Sequence, residues 1–117
     1  MAAPITRLPG TARGRSRAVA HDGLVWTVAT ASDKSPSMHV QTISALQALD
    51  RNLADAGTDK RHILSATVYI ADMSRKSEMN DAWLAWVDSD HAPQRACIGV
   101  TLEGQDLVEI VVCAAAG

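Results

Sequence analysis

The chain has 117 residues, the size of one domain, and 47% of them are apolar, enough for a single core and too many for a disordered chain. A net charge of -2 and a pI near 6.0 provide no basic field to attract nucleic acid or an anionic membrane. No stretch approaches the roughly 18 apolar residues of a membrane span, and the start lacks a signal peptide's apolar region, so a cytoplasmic protein without nucleic-acid or membrane partners is expected.

Residues 1–14 are rich in Pro, Gly and Arg and read as a loosely ordered lead-in to a single domain over 1–117. SRAVAHDGLVWTVATA reads as a hairpin: Ser16–Ala20 and Leu24–Thr30 are strand-like, and His21-Asp22-Gly23 supplies the turn. From Met38 to Ala56 the apolar positions Val40, Ile43, Leu46, Leu49 and Leu53 recur every three or four residues, one face of an amphipathic helix that Gly57 stops. Ile63–Ala71 is apolar and β-branched enough for a buried strand. Ser74 or Ser77 can cap a second helix, whose apolar face is Met79, Ala82, Trp83, Trp86 and Val87. Pro93 ends that region. Two further strands, Arg95–Thr101 and Leu107–Ala114, close the chain around Glu103-Gly104-Gln105-Asp106.

The expected order is ββ-α-β-α-ββ, an α+β domain with two helices on one face of a mixed sheet. The other face is bare, and its strands are too apolar to be wet, which predicts association with copies of the chain. Arg95 and Glu109 stand out as charges placed in apolar strand runs. Metal chemistry is not expected. His21, His39, His62 and His91 are scattered, and Cys97 and Cys113 sit inside apolar runs without ligand spacing.

In order, the chain carries SRAV (16–19) with GLVWT (23–27), QTISALQALDRNLADAG (41–57), ILSATVYIADM (63–73), MNDAWLAW (79–86), HAPQRACIGV (91–100) and LVEIVV (107–112). This ordered set resembles the RidA/YjgF family of enamine/imine deaminases, above all in Pro93-x-Arg95-x-Cys97 followed by Leu107-Val108-Glu109-Ile110. The resemblance implies a chorismate-mutase-like trimeric barrel with sheets inward and sites in clefts between subunits. It implies hydrolysis of 2-aminoacrylate-like imines to 2-keto acids and ammonia. By motif, Arg95 would hold the substrate carboxylate, the backbone N–H of Cys97 would help position it, Glu109 would orient or activate water, and Asn80 would sit near the pocket. The chain departs from the family pattern on one wall. Arg15 stands where the family has Tyr, Val28-Ala29-Thr30 replaces Ser-Gly-Gln, and the segment before the first helix is shortened to ASDKSPS. Arg15 and Ala29 would therefore form an altered substrate-binding wall, with Arg15 a second cation.

The chemistry suits these residue types. A planar guanidinium binds a carboxylate through two parallel bonds, which Lys cannot reproduce. A carboxylate beside the attacking water can place it and accept its proton. The scheme needs no metal or organic cofactor. The competing expectation is a non-catalytic trimer that binds a small 2-keto or carboxylic acid as a sensor.

Overall fold

In the computed structural model, which describes residues 3–117, six strands and two α-helices follow one another as β1 (Ile5–Pro9), β2 (Ser16–His21), β3 (Leu24–Thr30), α1 (Met38–Asp55), β4 (Ile63–Ile70), α2 (Lys76–Trp86), β5 (Gln94–Gly99) and β6 (Val108–Ala115). They build one mixed sheet in the order β1-β2-β3-β6-β4-β5, antiparallel throughout except for the parallel β4–β5 pair. Both helices pack on one side of it. Among the described residues no helix is long and apolar enough to cross a membrane.

The hairpin forms as its turn chemistry dictates. His21 pairs with Leu24, leaving Asp22 (φ 52°) and Gly23 (φ 82°) as a two-residue turn with both positions left-handed. Ser37 caps α1 by accepting a hydrogen bond from the Val40 N–H at 3.2 Å, and Gly57 (φ 85°) follows its end.

Three expectations require correction. The lead-in is not loose after Pro4: Ile5–Pro9 forms an edge strand on β2, with Ile5 opposite His21 and Leu8 opposite Ala18. Prolines at its two ends remove no ladder bond from an interior strand, so an edge tolerates them. The second helix is not capped by Ser74 or Ser77. Asp72 caps the preceding turn of 3-10 helix, accepting from the Ser74 N–H and hydroxyl, which hold its carboxyl below the usual carboxylate range. Finally, the buried face of α1 is rotated from the apolar one read in the sequence. Val40 and Ile43 are exposed, whereas Gln41, Thr42 and Asn52 are buried beside Leu46, Leu49 and Leu53. The polar side chains are inside because each has partners there.

Between helices and sheet lie Val25, Leu49, Leu53, Val68, Ile70, Met79, Trp83, Ile110 and Val112. Strand alternation sends the neighbouring residues to the open face, which carries exposed Trp26 (42%), Val28 (37%), Val111 (39%) and Ile98 (43%). The bare apolar face anticipated from the strand pattern is therefore present.

Candidate functional site

Glu109 projects from the open face of β6, opposite Thr30 of β3 and Tyr69 of β4, and is half-buried. It borders an open cleft of about 320 Å³ whose walls include Thr11, Arg15, Ala29, Thr30 and Glu103. Ala29 has its side chain in the core at 6% exposure, so it gives this wall backbone rather than bulk. The opposite wall is the loop joining β1 to β2, where Gly14 (φ 81°) makes the left-handed turn that delivers Arg15. Gly10, Thr11 and Ala12, inside the segment read as a lead-in, thus form part of that wall.

Two polar clusters hold these walls. Beneath the cleft, Arg17 donates through Nε to the Pro9 carbonyl (3.0 Å) and through Nη1 to Asn52 Oδ1 (3.0 Å), and pairs with Asp55 at 2.9 Å. Asn52 Nδ2 donates to Thr27 Oγ1 (3.0 Å), whose hydroxyl donates to the Arg17 carbonyl (2.6 Å). At the rim, Lys34 pairs with Asp106. Fully buried Gln41 donates through Nε2 to the Ser35 (2.8 Å) and Gln105 (2.9 Å) carbonyls, and its Oε1 accepts from the Leu107 N–H at 2.9 Å. One amide therefore ties α1 to two loops. Gln41 and Asn52 escaped the sequence reading, though their separation of eleven residues puts both on one helix stripe, a detectable signal. Gln41→Ala should lower stability by about 2–3 kcal/mol, because three backbone groups lose their partner at once. A urea midpoint that falls with unchanged slope would establish this, and an unmoved midpoint would refute it.

Arg95 lies elsewhere. It is opposite Ala66 on β4, whereas Glu109 is opposite Tyr69, three residues along the same strand. Alternation therefore places them on opposite faces of the sheet. Arg95 is on the helix side, with Cζ 5.3 Å from the Trp83 ring centroid and Nη1 3.8 Å from Met79 Sδ. The ring face and the thioether hold the guanidinium at an attraction of order 1 kcal/mol. Among the described residues no carboxylate comes within ion-pair distance of it. Cys97 lies two residues along the same face, opposite Val68, and half-buried Asn80 follows Met79 on α2. Both cysteines are free thiols. The sequence-predicted residues accordingly divide into two groups. Glu109, Arg15 and Ala29 meet at the cleft; Arg95, Cys97 and Asn80 occupy the β5–α2 side; one protomer does not bring the groups together. Among the described residues no three His, Cys, Asp or Glu side chains are arranged to hold a metal ion.

The family model described as Endoribonuclease L-PSP matches residues 8–116. A RutC family protein of Haemophilus ducreyi is 39% identical over 112 residues, covering 95% of this chain and 96% of its own. The RutC family protein YoaB of Escherichia coli is 33% identical over 112 residues, covering 95% and 97%. Among solved structures, a member of the YjgF family from Neisseria meningitidis superposes with a TM-score of 0.92 at 34% identity, covering 97% of this chain and 96% of its own. A member of the YjgF/YER057c/UK114 family from Mycobacterium tuberculosis does so at 0.87 and 26%, covering 97% and 100%. The chain belongs to the RidA/YjgF family and has its chorismate-mutase-like α+β fold.

Proposed function

We propose that this member of the RidA/YjgF family hydrolyses small 2-imino acids, and the 2-aminoacrylate-type enamines that tautomerise to them, into 2-keto acids and ammonia. The working site is a cleft closed by a neighbouring copy of the chain in a homotrimer. Glu109 and Arg15 come from one protomer and Arg95, the Cys97 N–H and Asn80 from the next. One observation carries this reading. Arg95 and Glu109 are complementary in charge, neither has an ion-pair partner among the described residues, and they stand on opposite faces of one sheet. A second protomer is the economical way to join them. The exposed apolar face with Trp26, Val28 and Val111 is the surface such an assembly would cover.

The chemistry then runs through these residues. Arg95 holds the substrate carboxylate through its fork, which fixes the protonated C=N carbon near Glu109. Glu109 orients a water, whose oxygen bonds to that carbon as the carboxylate takes a proton. Glu109 returns that proton to the carbinolamine nitrogen and then accepts the hydroxyl proton as C=O forms and the C–N bond breaks. The departing ammonia takes this proton away as ammonium, which leaves Glu109 ionised. Water is consumed, and no electrons change hands.

The test follows imines released by an amino-acid oxidase or a PLP-dependent dehydratase as they decay with and without the purified protein. Acceleration is expected, and Arg95→Lys should reduce kcat/KM by about 10- to 100-fold, because a point charge replaces a two-pronged donor. Decay at the buffer rate across a panel of amino acids would remove the hydrolase reading.

A further inference from the structure

We infer that Arg15 makes this site selective for substrates with a second carboxylate on the side chain, such as the imino acids formed from aspartate or glutamate. The reaction named here rests on the hydrolase reading above; the binding preference rests only on its two-protomer cleft.

Of the charged groups lining the cleft, several are already occupied. The Arg17 guanidinium has the Pro9 carbonyl, Asn52 and Asp55 as partners, and Asp106 has Lys34. Arg15 is different: it is exposed and has no carboxylate within ion-pair distance among the described residues, Glu103 and Glu109 of the same cleft included. It is also positioned deliberately. Gly14 takes the left-handed turn just before it, and β2 begins just after it, so its backbone is fixed between a tight turn and a strand. The wall also includes Ala29 and Thr30, and Ala29 turns its side chain into the core, so at that position the cleft is lined by backbone.

A substrate whose first carboxylate is held by Arg95 and whose reacting carbon faces Glu109 must send its side chain along this wall. An acidic side chain would end on an unpaired guanidinium, and the bond would be charge-assisted. An apolar one would leave that guanidinium without a partner as the cleft loses water. Arg15 and Arg95 together provide two cations for one ligand, which a monocarboxylate cannot satisfy.

The experiment compares imines from glutamate and aspartate with those from alanine and leucine, in wild type, Arg15→Ala and Arg15→Lys. The readout is the dicarboxylate-to-monocarboxylate ratio of kcat/KM. Arg15→Ala should lower this ratio about tenfold or more, mainly through KM, and Arg15→Lys should restore part of it. In parallel, calorimetry measures binding of 2-ketoglutarate and pyruvate, which needs no turnover. If no imine is hydrolysed yet 2-ketoglutarate binds in preference to pyruvate and loses that preference in Arg15→Ala, the hydrolase reading fails and this inference stands. A ratio and a binding preference that are both indifferent to Arg15, or an absence of 2-ketoglutarate binding, overturn it.

Discussion

Glu109→Gln should lower kcat/KM for imine hydrolysis by about 10²- to 10⁴-fold while a 2-keto acid still binds within a few-fold of wild type. Glutamine keeps the size of the side chain and can still accept a hydrogen bond from water, so the position between Thr30 and Tyr69 is preserved. It cannot take the water's proton or return one to the leaving nitrogen. Loss of rate without loss of binding is therefore the signature of a group that works on the reacting atoms. The same variant separates the enzyme from the sensor. If the protein only holds a keto acid, wild type has no turnover to lose, and binding alone responds to substitutions in the cleft. Should Glu109→Gln retain full hydrolysis, the proton transfers would have to be assigned to another group. Glu103 is the remaining cleft carboxylate outside the Lys34–Asp106 pair, so Glu103→Gln is the informative companion.

Much of the fold was legible because local signals agreed with one another. The hairpin was marked by an Asp-Gly turn between strand-like runs, and α1 by a regular apolar spacing and a terminal Gly57. The Ile5–Pro9 strand had no such agreement. It is five residues long, bounded by prolines, and held by pairing with β2 rather than by its own pattern. The rotated face of α1 shows the opposite limit: Gln41 and Asn52 look like surface residues until the loops they bind are in place. For the candidate site, the sequence singles out residue types and leaves their grouping in space open. Arg95 and Glu109 belong to different strands, so which face each takes depends on the register of both against β4, and register is a long-range property. Nor could composition tell a loose basic lead-in from the wall that carries Arg15, since Gly14 and the β1–β2 pairing make the difference.

The proposed two-protomer cleft predicts a second large effect, recovery of lost activity on coassembly. Arg95→Ala and Glu109→Gln, each close to inactive alone, should regain activity when the two chains are coexpressed and assemble together. A complete cleft takes Glu109 from the chain carrying Arg95→Ala and Arg95 from the chain carrying Glu109→Gln. With equal amounts and random assortment, half of the clefts receive an intact Glu109, and half of those receive an intact Arg95, so about a quarter of wild-type activity should return. The reasoning requires only that each cleft draws one residue from each of two neighbours, whatever the number of subunits in the ring. Mixing purified variants that do not exchange subunits should give no recovery, which makes that mixture the control. Were the two residues instead to act within one protomer, every chain in the coexpressed sample would lack one of them, and activity would stay at the level of the single variants. That result would require Arg95 to reach Glu109 across the β5–β4–β6 sheet, contrary to their placement on opposite faces.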